Sequence, residues 1–500
     1  MSRLHHRTGL IAIFSLFVLA LTACNQGDFF ALDATLTAVN PFGHTETQAV
    51  VAETNPSPTE AQARPTATQA PPVTPTPGLV VDPNSLTGLK IQFWHPWSGD
   101  AALALDELVE LFNLSNELGI QVEVSAPGSL ENLDDQVSQA LQDGQPPDLV
   151  AAYLFQALEW EADQPLVDLE AYIQDAQWGL TQDEQADFYP AWWDTGLAGE
   201  KRLGLPVLGG GQVMYYNQSW AQELGFSQPP ATPDQLKEQA CAAAQAKLQD
   251  DAPDNDGAGG LILSTHYSPM LGWLAGFEAQ VFDRSAKGNP YDFDAPEVQQ
   301  TFTFLRSLYD QGCAWLPEEP YPEEAFASRD GLFAIGSVAN LPYQAQVFQR
   351  SATGDIWTVL PFPAPDGQPA IGVYGPALEI FSSTPEEQLA AWVFARWLLS
   401  PENHARLVQA TAGLPVRKSA LPALQEFQAS QPQWAAAQEL SEYARHEPTA
   451  PSWKTVRWAL GDAAAQLFRS YFTIDQVPNL VKFLDKTAAE LYANPPRSDE

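Results

Sequence analysis

The chain has 500 residues, a formal net charge of −38 and a sequence pI near 4.3. Acidity on that scale excludes a nucleic-acid binder, which needs basic patches against phosphate, and a surface that lies on anionic lipid. The 15 Trp, 14 Tyr and 25 Phe are mostly core by composition alone, so an aromatic gains functional meaning only from its place in the fold.

Residues 1–24 carry Arg3 and Arg7, an apolar run from Leu10 to Leu21 and the ending Leu21-Thr22-Ala23-Cys24. This reads as a secretory signal with small residues before a cysteine. It resembles the lipobox of bacterial lipoproteins, in which that cysteine is lipidated and begins the mature chain; a plain signal peptide or an uncleaved anchor is the other reading. The lipobox implies an extracytoplasmic protein held to the outer face of the cell membrane through Cys24. Residues 25–85 are rich in Pro, Thr and Ala without periodicity, the composition of a disordered tether.

From Leu89 the pattern changes. Leu89–Trp97 alternates as a strand and ends in His95, Pro96 and Trp97. Ser98-Gly99-Asp100 opens a helix with Leu103, Leu108, Leu111 and Phe112 at helical spacing. A strand over Ile120–Val124, a helix over Leu130–Leu141 and a strand over Leu149–Phe155 complete a βαβαβ run, which predicts an α/β fold with a parallel sheet. In such sheets ligands bind beyond the carboxyl ends of strands, here at His95, Trp97, Tyr153 and Phe155.

Next comes R-L-G-L-P-V-L-G-G-G-Q-V-M-Y-Y-N-Q-S-W, Arg202 to Trp220. It predicts a buried strand over Leu203–Leu208, a break at Gly209–Gly211, a second strand over Val213–Tyr216 and a helix capped by Asn217 or Ser219. Locally an ordinary hairpin fits as well. Thr232-Pro233-Asp234 starts a further helix. Asp250–Gly257 lacks the first ligand and the closing glutamate of a calcium loop and reads as a turn. Leu261–Leu263 is a strand with His266 and Tyr267 at its exit. Beyond Cys24 only Cys241 and Cys313 remain; in an exported chain an even remainder suggests a disulfide, with two buried thiols as the alternative. Ala325–Gly336 and Ile356–Leu360 carry a helix and further strands. Trp453 and Arg457, at i and i+4, share one helix face.

The strand, small-residue break and Tyr216-Asn217 pair before a helix resemble the first lobe-to-lobe crossover of extracellular solute-binding proteins of ABC importers, in the sugar-binding branch that includes maltose-binding protein. I-G-V-Y-G-P-A-L-E-I-F (Ile371–Phe381) resembles the return crossover, G-L-P-V-R-K-S-A (Gly413–Ala420) the third, and L-L-S-P-E the helix between them. The resemblance runs from about 86 to 495. It implies a two-lobe, type II periplasmic-binding-protein-like fold with hinge strands between discontinuous lobes: 86–212 with 373–413, and 213–372 with 414–500. It further implies a monomer that binds a sugar or oligosaccharide by hinge closure and delivers it to permease subunits, without cofactor or metal. The implied ligand-binding set is His95, Trp97, Tyr153, Phe155, Gly210, Gly211, His266, Tyr267, Tyr374, Trp453 and Arg457. Trp453 is expected to stack on a sugar face, and the small Gly210 and Gly211 to give a roomier floor or a different ligand.

A secreted glycan hydrolase is the main alternative and would need two carboxylates across a cleft. Glu318, Glu319, Glu323 and Glu324 cluster among prolines as a solvated loop, and neither G-x-S-x-G nor H-E-x-x-H occurs. A surface sensor that reuses the fold is a third reading.

Overall fold

The computed structural model describes residues 79–318, 321–351 and 353–494. Cys24 and all but the last few residues of the expected tether lie outside them. In chain order the strands are β1 (Lys90–Trp94), β2 (Gln121–Ser125), β3 (Leu149–Ala152), β4 (Gly204–Pro206), β5 (Gly210–Asn217), β6 (Gly259–Ile262), β7 (Ala314–Trp315), β8 (Gly331–Ser337), β9 (Trp357–Leu360), β10 (Ile371–Tyr374), β11 (Ala377–Ile380) and β12 (Ala444–His446). The helices used below are α1 (Gly99–Ser115), α2 (Leu130–Gln142), α3 (Leu154–Trp160), α4 (Pro233–Leu248), α5 (Tyr267–Gly276), α6 (Pro296–Asp310), α7 (Pro385–Leu398), α8 (Pro401–Thr411), α9 (Trp453–Leu467) and α10 (Val477–Ala493).

These elements form two sheets, neither contiguous in sequence. A five-stranded sheet runs β2-β1-β3-β11-β4, with β1 parallel to β2 and β3, and β11 antiparallel to β3 and β4. A seven-stranded sheet runs β12-β10-β5-β8-β6-β7, with β9 also paired to β5. In it β10 and β12 are parallel, as are β6, β7 and β8, while β5 opposes both β8 and β10. Each sheet is the centre of one lobe.

Local sequence explains most of the elements. Ile91 and Phe93 point into the core while Lys90 is exposed, the alternation of a strand covered on one face. Asn116 ends α1 and starts the next segment: its side chain donates to Phe112 O and Ile120 O and accepts from Ile120 N. Pro233 stands at the start of α4 behind Thr232, whose Oγ1 accepts from Gln235 N. α7 opens with the same reciprocal pair, Thr384 with Glu387. Packing departs from the expected spacing in α1, where Leu105, Leu108, Val109 and Phe112 are buried but Leu103 and Leu111 are exposed.

Three passes join the lobes. Val207–Gly209 links β4 to β5, and Gly375-Pro376 links β10 to β11, with Val207 N donating to Pro376 O at 3.2 Å. The third follows α8, which ends as Ala412 turns into the left-handed region at φ 51°. Gly209 and Leu414 then exchange both backbone hydrogen bonds, at 2.8 and 2.7 Å. The Trp434 indole holds the bend by donating to Ala412 O and Gly413 O.

The glycine run follows from what lies against it. A Cβ at Gly209 would stand 2.8 Å from the Trp192 ring, and one at Gly210 would stand 2.5 Å from the Tyr374 ring. Both rings approach the backbone so closely that a side chain would clash with them.

The expected disulfide is present. Cys241 of α4 is bonded to Cys313, which directly precedes β7. The bond ties a covering helix to the far edge of the second sheet.

Candidate cleft site

The carboxyl ends of four strands in the second sheet converge beside the passes. β6 leads through Ser264 and His266 into α5, β8 ends at Ser337, β10 ends at Tyr374, and β12 is followed at once by Glu447. β5 runs the other way and starts there, with Gly210 opposite Tyr374. From the first lobe, β3 brings up Tyr153, and α3 brings up Phe155.

That first-lobe edge differs from the sequence expectation. β3 stops at Ala152, and Tyr153 is the residue before α3, its N–H donating to Gln156 Oε1 at 3.2 Å. Leu154, Ala157 and Trp160 are all buried, a helical period that takes over before Phe155. Phe155 therefore lies on a helix, not on a strand.

Tyr374 is the hub of the floor. Its hydroxyl accepts from Gln212 Nε2 at 3.0 Å and shares a hydrogen bond with Ser337 Oγ at 3.2 Å. Its carbonyl accepts from the Trp192 indole at 3.2 Å. Tyr153 approaches it from the other lobe, with ring centroids 6.5 Å apart. Burial raises the pKa of both phenols, so both are neutral hydrogen-bonding groups at ordinary pH.

Arg457, on α9, spans the lobes. Its guanidinium sits 4.5 Å from the Phe155 ring of the first lobe, and 5.1 and 5.4 Å from the Tyr267 and Trp458 rings of the second. Cation–π attraction on three sides fixes a group that otherwise moves freely. Next to it, Lys454 donates to Asp134 on α2 at 2.9 Å and to Glu159 on α3 at 2.6 Å. The two lobes therefore already touch. His266 precedes α5 and accepts from Ser268 N through Nδ1 at 3.2 Å. Desolvation first, then the Arg457 charge, lowers its pKa, which agrees with a neutral ring that accepts at Nδ1.

Five expected ligand residues are placed differently. Trp453 is fully buried, one face stacked on Tyr291 with centroids 6.4 Å apart and the edge of Tyr267 at 6.5 Å, so it has no free face for a sugar. His95 is also fully buried; its ring neighbours are Phe93 and Trp97, and burial lowers its pKa to about 4. It lies on the same strand face as Ile91 and Phe93, which carries it into the core, and half-buried Trp97 packs against that same core. Gly210 does not widen the floor, because the Tyr374 ring fills the space; Gly211, buried opposite Val373, belongs to the sheet ladder. The residues brought together are thus Tyr153, Phe155, His266, Tyr267, Tyr374 and Arg457.

Gln212, on the crossover, and three residues missed in the sequence, Ser337, Trp458 and Glu447, complete the group. Glu447 is the most informative. It is 9% exposed, and its Oε2 accepts from the Trp453 indole at 2.8 Å. Burial pushes its pKa up to about 7 against the help of Trp453 and Arg457. Burial, with a contribution from the Glu447 charge, raises the pKa of Tyr153, Tyr267 and Tyr374. Glu447 stands beside Tyr374, because β12 runs parallel to β10 and Glu447 N donates to Val373 O at 3.0 Å. Among the described residues no group of three or more His, Cys, Asp or Glu side chains is placed to hold a metal ion, and no helix is long and apolar enough to cross a membrane.

Two lobes on separate sheets, joined by three adjacent passes with polar and aromatic strand ends between them, define a two-lobe ligand-binding protein. The family described as bacterial extracellular solute-binding protein matches residues 107–441, and the chain belongs to it. A Brucella abortus protein named as a binding protein is 24% identical over 276 residues, 54% of this chain. The chain spans 63% of that relative's length. Among solved structures, the cyclic alpha-maltosyl-1,6-maltose binding protein of Arthrobacter globiformis matches with a TM-score of 0.67 at 20% identity, over 80% of this chain and 99% of its own. The sugar-binding protein MalE of Xanthomonas citri matches with a TM-score of 0.67 at 21% identity, over 81% and 97%. These likenesses establish the fold.

Proposed function

We propose that this protein is the substrate-binding component of an ABC importer and that it captures a sugar or short oligosaccharide between its lobes. The observation that carries this reading is the composition of the space around Tyr374. Ring faces from both lobes (Tyr153, Phe155, Tyr267, Trp458) stand beside neutral hydroxyls and amides (Tyr374, Ser337, Gln212) and one charged group of each sign, Arg457 and Glu447. A pyranose offers the complement: an apolar face to stack and a rim of hydroxyls to bond. The solved relatives named for maltose derivatives and sugars add weight to this ligand class.

In this reading the passes at 207–209, 375–376 and 413–414 are the hinge, the first lobe spans 86 to about 209 with about 377–413, and the second takes the rest. The ligand favours closure only through contacts that the open form lacks, since equal affinity for both forms shifts nothing. The chain acts as a monomer tethered through a lipid on Cys24 and presents the closed form to permease subunits. Its chemistry is binding, and no bond is made or broken.

A thermal-shift screen of the full-length protein against sugars, polyols, peptides and phosphate esters tests the proposal. One or more sugars should raise the melting temperature with the concentration dependence of mass action. Stabilisation by peptides alone would remove the carbohydrate assignment, and cleavage of a sugar during the assay would replace a binding protein with an enzyme.

A further inference from the structure

Glu447 carries more than its bond to Trp453 requires. An indole N–H needs one acceptor, and a backbone carbonyl or a glutamine would serve. The protein instead buries a carboxylate, at a cost in desolvation that an ion pair normally offsets. Here the offset is weak. No lysine, arginine or histidine nitrogen lies within salt-bridge distance of Glu447 among the described residues, and the nearest named cation, Arg457, is turned onto the rings of Phe155, Tyr267 and Trp458. Only Oε2 has a hydrogen-bond partner; Oε1 has none among the described residues, and it is not sealed off from solvent. The backbone places the residue beside Tyr374. Glu447 follows β12 directly, its N–H donates to Val373 O, and its own carbonyl is bonded to His446 Nδ1 at 2.7 Å. A buried carboxylate with one unpartnered oxygen, at the carboxyl end of a strand beside the cleft, is a candidate group for holding a ligand.

We propose that Glu447 sets the charge selectivity of the cleft: Oε1 accepts hydroxyl hydrogens from an uncharged polyhydroxy ligand and turns away ligands that carry a carboxylate or phosphate at that position. This rests on the carbohydrate reading and narrows it to neutral sugars. Trp453 is then a positioning residue, which occupies Oε2 and leaves Oε1 for the ligand. Arg457 keeps its full positive charge, but it is engaged by the rings of Phe155, Tyr267 and Trp458.

The test is calorimetric titration of the full-length protein at about pH 8, where the carboxylate is ionised. Matched probes are glucose, maltose and maltotriose against glucuronate, glucose 6-phosphate and maltobionate, with sorbitol against gluconate as an uncharged non-sugar pair. At least one neutral sugar should bind, and its anionic counterpart should bind at least about tenfold more weakly. Glu447→Gln, which keeps an oxygen for the Trp453 indole and so keeps the fold, should weaken the neutral sugar and narrow that gap to about threefold or less. A merely structural Glu447 would leave the gap unchanged. The proposal is overturned if the anionic probe binds the unaltered protein as tightly as the neutral one, or if the gap persists in Glu447→Gln. If only sorbitol binds, the carbohydrate reading fails while the sorbitol–gluconate gap in the variant still decides for or against Glu447. Silence from every probe overturns both.

Discussion

The strand ends of the two lobes face the same space with different chemistry. On the first lobe, β1 is followed by His95 and Trp97, β3 by Tyr153 and by Phe155 on α3, and His95 is swallowed by the core with both ring nitrogens unpartnered. On the second, β6, β8, β10 and β12 deliver His266, Ser337, Tyr374 and Glu447, with Arg457 above them. The first lobe supplies an apolar wall and the second supplies hydrogen bonds and charge. In the proposed function this contrast predicts that substitutions in the two lobes have different effects.

The largest expected effect is on Trp453. Trp453→Ala removes a fully buried indole between Tyr291 and Tyr267 and should cost about 3–5 kcal/mol in chemical denaturation. A loss below about 1 kcal/mol would restore Trp453 as a surface for ligand.

Glu447→Gln comes next. A carboxyl whose pKa is raised on folding, here from 4.5 to about 7, binds its proton more tightly in the native state. Stability therefore falls as pH rises from about 4.5 to about 7, and the full cost is present above that. The substitution should add roughly 3 kcal/mol near pH 8 and nothing below about pH 4.5. Urea denaturation of both proteins across that range checks it; a gain that does not vary with pH would mean that Glu447 is not buried in its charged form.

How legible these roles were differs by element. The passes could be read because each is an apolar run broken by glycine or Gly-Pro, and Tyr216-Asn217 marks a helix start that the structure confirms through Asn217 Oδ1 accepting from Trp220 N. The disulfide followed from counting cysteines. His95 was misread although the alternation Ile91, Phe93, His95 already placed it on the buried face. Trp453 was misread for a deeper reason: what covers it is Tyr291, distant in sequence, and helical spacing cannot tell a covered face from an open one. Glu447 left no local signal, because β12 is three residues long and has no apolar period. Phe155 moved from strand to helix because Leu149–Phe155 is one unbroken apolar run, which period alone cannot divide.

The effect of Gly210→Ala is smaller. The new Cβ would meet the Tyr374 ring at 2.5 Å, so the ring must swing off its Gln212 and Ser337 partners. A destabilisation of about 1–3 kcal/mol, largely relieved in the double variant with Tyr374→Ala, would show that the glycine serves the tyrosine and not the ligand. Smallest is Lys454→Gln, which cuts the bond between lobes to Asp134 and Glu159. Its cost should stay within about 1 kcal/mol, and small-angle scattering of the ligand-free protein should show a larger radius of gyration. An unchanged radius would mean that the apolar wall alone holds the lobes together.

The Cys241–Cys313 bond has a consequence for the life of the protein outside the cell. It encloses 72 residues of sequence separation, a span that includes the exposed turn at Asp250–Gly257, all of β6 and the helices α5 and α6. A protease that cuts anywhere in that span opens the chain without parting it. The nicked molecule keeps its mass on a non-reducing gel and falls into two fragments only when reductant is added. One covalent stitch makes a cut in this exposed turn of the second lobe a tolerated scar.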